Sequence, residues 1–292
     1  MADFLMRSLM FVPGNNDHFL EKAAASEADI LLLDVEDSVP GVSNKQIARD
    51  NIVKYAQDGL FKQPLFPRVN DRESGELLKD LLQLTIPEVA GFMYPKSHTG
   101  KDIYFIDKLL EAIEAEKHIP RGTFKLIPLI ETTSAVLHAE EICKASERVI
   151  AIAFGCEDYV TDLHGIHDTT EESIFTARSL IAMAARTANV IPIDTVHINV
   201  KDLDDLEKNL QIGKRLGFEG MLVLNPKELP LVHQYYSPTA DEYNFARTMI
   251  EAANAAKATD KGVTVIGKMF VGPPMVKQAR SIVEKYEKIL QG

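Results

Sequence analysis

Hydrophobic and polar positions in this chain alternate in blocks. Short apolar runs occupy 9–12, 30–35, 65–69, 91–94, 125–130, 149–154, 193–198 and 220–224, and each ends in polar or charged residues. Runs of this length, bounded by turn residues, predict buried strands. Their near-continuous apolar character suits a parallel sheet covered on both faces. Between them lie segments with helical spacing: 19–27, 44–55, 102–116, 134–145, 172–187 and 203–216. Ile103, Ile106, Leu109, Leu110 and Ile113 share one stripe, and Leu203, Leu206, Leu210 and Leu216 share another. The alternation predicts an α/β fold, a (β/α)8 TIM barrel over residues 1–232, with an open doubly wound sheet as the alternative. In a barrel, the loops after the strands' C-terminal ends carry the chemistry.

Residues 233–292 break the alternation and predict a C-terminal helical extension. Thr239-x-x-Glu242 has capping-box spacing before Phe245, Met249, Ile250 and Ala253. A glycine-rich stretch, 262–272, leads to Pro273-Pro274, a helix start. The last helix carries Met275, Val276, Ala279, Ile282, Val283, Tyr286, Ile289 and Leu290. That stripe needs cover, from its own barrel or from a neighbouring subunit.

Composition narrows the class. A hydrophobic share of 46% with 26% charged residues fits a globular protein with an ample core. A net charge of −11, spread along the chain, argues against a nucleic-acid or anionic-membrane partner. No apolar stretch reaches the roughly 20 residues that span a bilayer. The start, Met-Ala-Asp-Phe-Leu-Met-Arg7, lacks signal-peptide features. Two cysteines exclude a disulfide framework, so the expected compartment is cytoplasmic. A phosphate loop, a G-x-G-x-x-G fingerprint and a serine-nucleophile elbow are absent from the sequence.

The run endings carry the candidate chemistry. Glu131 and Asp158 follow two different runs, where a barrel strand delivers side chains to its active face. Two carboxylates suit Mg²⁺, which takes oxygen ligands and keeps waters or substrate oxygens. Each also reads as a helix-start acid facing a helix dipole. Asp34, Glu36 and Asp37 end the second run, as a general-base source, an arginine clamp or a solvated turn. Arg68 and Asn70 share one face of the third, and a guanidinium there can grip a carboxylate or an oxyanion. Arg7 with the turn after the first run, and Lys96 after the fourth, are candidates for holding an anion. Glu157 reads as pointing elsewhere or as a supporting group. His164-x-x-His167 is a weak metal pattern in a polar loop, and Cys156, with no obvious histidine partner, reads as a small packing residue.

Taken jointly, several phrases resemble the citrate lyase beta subunit and malyl-CoA lyase group of the HpcH/HpaI aldolase superfamily. They are Arg7-Ser-Leu-Met-Phe-Val-Pro-Gly-Asn-Asn16, Asp34-Val-Glu-Asp37, Pro67-Arg-Val-Asn70, Tyr94-Pro-Lys96, Ile130-Glu131, Phe154-Gly-Cys-Glu-Asp-Tyr-Val-Thr-Asp162 and Leu216-Gly-Phe-Glu-Gly220. The resemblance implies a (β/α)8 barrel in a homotrimer or hexamer, with the C-terminal segment over a neighbour's site. It implies Mg²⁺ on Glu131 and Asp158, with Arg68 and Glu131 contacting substrate. The substrate implied is a 3-hydroxyacyl thioester of CoA, or of an acyl carrier protein. Retro-Claisen cleavage then yields an acetyl-type thioester and a 2-oxo acid.

Asn225-Pro226 leans toward the citryl end of that group, where many relatives have His-Pro. Relatives often carry Gly-Lys-Met-x-Asp before the last helix, whereas Gly267-Lys-Met-Phe-Val-Gly272 puts Val271 or Gly272 in the aspartate's place. Thioester hydrolysis relying on that acid is therefore not expected. Rival expectations are a class II-type aldolase acting on a free 2-oxo acid, and a non-catalytic CoA-binding subunit.

Overall fold

Apolar runs become strands wherever their N–H groups are free to join a ladder. The structure is a computed structural model that describes residues 4–168, 170–257 and 263–291. Strands β1 (Ser8–Pro13), β2 (Ile30–Asp34), β3 (Gly91–Tyr94), β4 (Lys125–Ile130), β5 (Ala151–Phe154), β6 (Ile191–Asp194) and β7 (Gly220–Val223) form one parallel sheet. Its order is β2-β1-β7-β6-β5-β4-β3. Segment 65–69 fills the gap between β2 and β3 through isolated bridges, Leu31 to Leu65 and Asp34 to Arg68 on one side, Leu65 to Val89 and Arg68 to Met93 on the other. Pro64 and Pro67 bring no N–H, which breaks a continuous ladder into bridges. The ring closes around that segment, so the fold is the expected barrel and not an open sheet.

Alternate strand residues fill the barrel. Leu9, Ile30, Leu32, Phe66, Met93, Ile127, Leu129, Ala151, Ala153, Ile193 and Leu222 form its buried interior. The helices are α1 (Asp17–Ala24), α2 (Val42–Gln57), α3 (Leu77–Leu84), α4 (Gly100–Glu116), α5 (Thr133–Leu137), α6 (Ala139–Lys144), α7 (Cys156–Leu163), α8 (Glu172–Ala188), α9 (Leu203–Leu216) and α10 (Leu229–Tyr236). The single helix expected over 134–145 is two, divided at His138. Both α3 and α7 exceed the sequence expectation. The second matters for the site, because it starts one residue after Gly155 and so takes Asp158 into its first turn.

The chain divides into two compact units, residues 1–233 and 234–292. The second contains α11 (Ala240–Lys257), β8 (Thr264–Ile266), β9 (Met269–Val271) and α12 (Pro273–Gln291). Thr239 and Glu242 exchange the reciprocal capping bonds expected of them, at 2.8 and 3.1 Å. The antiparallel hairpin of β8 and β9 was not expected; within it Gly267 takes the left-handed φ of 60° that the turn needs. Gly262, which opens the glycine-rich stretch, lies outside the described residues. Val271 is buried with Ala246, Met249 and Ala279, so one of the two positions where the resemblance implies an acid is a core residue of this second unit. Among the described residues, no helix is long and apolar enough to cross a membrane.

Candidate active site

Parallel strands deliver their last residues to one rim. The register pairs Pro13 with Asp34 and Ile130 with Phe154, and a bridge sets Asp34 beside Arg68. Above that rim lies a cavity of about 680 Å³, whose lining includes Asp34, Arg68, Glu131 and Asp158. A neighbouring cavity of about 470 Å³ also reaches Glu131 and Asp158 and adds Lys96, Asp71 and Arg72.

Arg68 is fixed by a fork. Its Nε donates to Asp34 Oδ1 at 2.7 Å and its Nη2 to Asp34 Oδ2 at 2.6 Å. Nη1 faces Glu36 at 3.2 Å and Asp37 at 3.9 Å, and the guanidinium lies over the Phe11 ring, 4.7 Å from its centroid. Asp34 also accepts from the Ser38 hydroxyl at 2.5 Å and the Glu36 N–H at 3.0 Å. Burial raises the Asp34 carboxyl, but Arg68 and these hydrogen bonds outweigh it and hold the group below the usual carboxylate range. Glu36 differs: burial dominates and raises it, against the pull of Arg68 and Lys96. Asp37 is more than half exposed.

Lys96 ties this cluster to Glu131. Its ammonium meets Glu36 at 2.8 Å, with Asp71 at 3.6 Å and Asp37 at 3.8 Å. Its backbone is left-handed, φ 51°, an unusual state for lysine. That conformation accompanies an N–H donated to Glu131 Oε1 at 2.5 Å.

Glu131 is only 2% exposed. Burial, with Glu36 and Asp158 adding like charge, pushes its carboxyl up to about 8, against the Lys96 N–H. Asp158, in the first turn of α7, is raised by burial and by Asp37. Among the described residues neither carboxylate makes a salt bridge. Two acids in no salt bridge, Asp158 adding like charge to Glu131, fit a hard divalent cation, which satisfies oxygen ligands and removes the repulsion. Gly155 keeps the backbone close to them, since a Cβ there would lie 2.9 Å from Glu131 Cβ and 3.0 Å from Oε2.

Arg7 is not brought to this rim. It precedes β1 at the strand's N-terminal end and grips Asp29 through Nε at 2.9 Å and Nη2 at 2.7 Å. A six-residue strand is roughly 20 Å long, so a residue before it faces the opposite end of the barrel. Asn70 points inward too, bonding Val35 O, Asp80 and Lys45.

Sequence reasoning missed the partner of Cys156. His167 Nδ1 lies 2.5 Å from Glu157 Oε1, and Cys156 Sγ is 3.4 Å from that same oxygen. Contact with Cys156, then with Glu171 and Glu157, pushes the imidazole up to about 11 against burial. Ten residues of helix and loop separate Cys156 from His167, so no periodicity signals the pair. Also missed were the apolar wall formed by Phe11, Phe19, Leu224 and Pro226, and the two lysines Lys22 and Lys227 beside it.

The profile of the family described as HpcH/HpaI aldolase/citrate lyase matches residues 7–226. The citrate lyase subunit beta of Leuconostoc mesenteroides subsp. cremoris is 31% identical over 281 residues, covering 96% of this chain and 93% of that protein. The L-malyl-CoA/beta-methylmalyl-CoA lyase of Cereibacter sphaeroides is 30% identical over 309 residues, covering 97% and 95%. Among solved structures, the protein CitE of Mycobacterium tuberculosis in complex with magnesium, acetoacetate and coenzyme A superposes with a TM-score of 0.75 at 22% identity. That superposition covers 98% of this chain and 99% of that one, and supports the fold.

Proposed function

The chain belongs to the HpcH/HpaI aldolase/citrate lyase family, and we propose that it is a Mg²⁺-dependent carbon–carbon lyase. Its substrate is a 3-hydroxyacyl thioester of the citryl-, citramalyl- or malyl-CoA type, carried on CoA or an acyl carrier protein. Retro-Claisen cleavage gives an acetyl-type thioester and a 2-oxo acid. The observation that carries this reading is the buried Glu131 with the exposed Asp158 beside it, neither in a salt bridge among the described residues, on the wall of the cavity that also holds Arg68.

Glu131 and Asp158 would hold Mg²⁺, which supplies a Lewis acid for the oxygens of the hydroxyl and of its neighbouring carboxylate. Arg68 is placed to offset the negative charge that develops on the thioester side as the bond breaks. Asp34 is a positioning residue: engaged through both oxygens and held below its usual pKa, it is a poor base and a good clamp. Glu36 spans Arg68 and Lys96 and orients both cations. Asp37, the exposed acid of the three, is the group able to take the hydroxyl proton and pass it to solvent. Lys96 steadies Glu131 through its N–H and offers its ammonium to a substrate carboxylate. Arg7, at the other end of β1, serves the fold through Asp29 and has no part in this scheme.

The cavity supports a thioester over a free 2-oxo acid. At about 680 Å³, with Phe11, Val12, Phe19 and Leu224 on its wall, it is larger and more apolar than a small dicarboxylate requires. We further assign residues 234–292 to a subunit contact in a cytoplasmic homotrimer or hexamer. Half-buried apolar positions such as Ile250, Val276 and Val283 in that unit support this, and two free cysteines suit a reducing compartment.

A panel of citryl-, citramalyl- and malyl-CoA, with and without Mg²⁺, tests the proposal. Mg²⁺-dependent release of a 2-oxo acid and a shorter CoA thioester is expected. Cleavage of free 2-oxo acids alone would make the chain an aldolase. CoA binding without turnover on any thioester would make it a non-catalytic subunit.

A further inference from the structure

We propose that Cys156, Glu157 and His167 form a second metal site, selective for Zn²⁺ and similar thiophilic dications over Mg²⁺. One sulfur, one imidazole nitrogen and one carboxylate oxygen lie mutually within 4.8 Å. That spacing lets one ion touch all three, and a sulfur–nitrogen–oxygen donor set is the chemistry of zinc, whereas magnesium takes oxygen.

The imidazole is already aimed. Its Nδ1 faces Glu157 at 2.5 Å, while its Nε2 lies 3.4 Å from Glu171 Oε1 on the far side. A carboxylate behind a histidine fixes which nitrogen meets a metal and makes that nitrogen a better donor. Glu171 is itself restrained, with a left-handed φ of 59° and Arg178 at 3.5 Å. The three ligands come from both ends of one connection: Cys156 and Glu157 open α7, and His167 lies in the loop after it. Without metal, a proton on the imidazole balances the neighbouring acids. When the ion binds, the sulfur–metal bond replaces the S–H bond, and the thiol and imidazole protons pass to solvent. Cys156 and Glu157 line the large cavity, which gives an ion a route to the site. The assignment draws on these contacts alone and does not depend on the catalytic reading.

Cobalt(II) serves as the probe, titrated into the full-length protein with Mg²⁺ in excess. We expect a thiolate-to-cobalt charge-transfer band that saturates at one ion per chain and vanishes when Zn²⁺ is added. Cys156→Ser should remove the band, and Cys143→Ser should leave it. His167→Gln and Glu157→Gln should each weaken binding at least about tenfold, and Glu171→Gln by roughly 10–100-fold. No band in the wild type, a band surviving Cys156→Ser, or unchanged affinity in His167→Gln would each overturn the site. Circular dichroism verifies that each variant is folded. Should Cys156→Ser fail to fold, His167→Gln and Glu157→Gln decide.

Discussion

Arg68 and Asp34 meet as a two-pronged pair, Nε to Oδ1 at 2.7 Å and Nη2 to Oδ2 at 2.6 Å, with both side chains largely buried. Lysine cannot reproduce that fork. Arg68→Lys should lower kcat/KM by roughly 10²–10³-fold, the usual cost of losing an oxyanion donor. Asp34→Asn should lower kcat too, because the guanidinium is no longer held. It should also destabilise the barrel, since the buried guanidinium loses its two-pronged partner and keeps only Glu36 at 3.2 Å and Asp37 at 3.9 Å. Steady-state kinetics and denaturant melts measure the two effects separately.

The raised pKa of Glu131 makes stability depend on pH in a defined direction. Its folded value of about 8 lies above the ordinary 4.5, so the neutral form is favoured in the metal-free fold. That contribution is present below about pH 4.5 and is lost as pH rises through 8. Metal-free protein should therefore lose stability on the order of a few kcal/mol across this window. Glu131→Gln should flatten the profile, and saturating Mg²⁺ should restore stability in the wild type at pH 8. Thermal melts in chelator across the pH range test it; a steeper loss in the glutamine variant would contradict the cause.

Gly155 is required for the space it leaves. A Cβ at that position would press on Glu131 at 2.9–3.0 Å, tighter than carbon contacts allow. Gly155→Ala should raise the Mg²⁺ concentration for half-maximal turnover about tenfold or more, because misplacing a ligand by under an ångström is costly. Unchanged metal dependence would show that Glu131 has room to move.

Most of the barrel was legible in the sequence because apolar blocks and helical stripes alternate with few interruptions. One exception is 65–69, where the apolar pattern is right but Pro64 and Pro67 withhold N–H groups, so bridges replace a strand; another is 193–198, where the strand runs earlier, over Ile191–Asp194, and 195–198 lie in the connection after it. Glu131, Asp158, Arg68, Lys96 and the acids at 34, 36 and 37 do converge, because each lies at or just past the C-terminal end of a strand or of the 65–69 segment. Arg7 was misplaced by attending to its nearness in sequence to the first turn; strand direction puts it at the other end. Which acid clamps and which titrates depended on burial and partners, and neither is written in Asp34-Val-Glu-Asp37. His167 and Cys156 met through a loop, for which no spacing rule exists.

Val271 offers a check on the tail. It is 1% exposed among Ala246, Met249 and Ala279. Val271→Asp should bury a charge without a partner and cost about 3 kcal/mol or more. Hydrogen exchange in α11 and α12 should speed up, with no gain in thioester hydrolysis. Unchanged protection together with new hydrolysis would show that the position faces a site.

The most direct test of the account is Mg²⁺ titration by calorimetry on wild type, Glu131→Gln and Asp158→Asn, alongside cleavage of the preferred thioester. One Mg²⁺ per wild-type chain is expected, with binding weakened by roughly two orders of magnitude or more in each variant and a matching loss of turnover. Wild-type affinity and near-normal cleavage in both variants would contradict it.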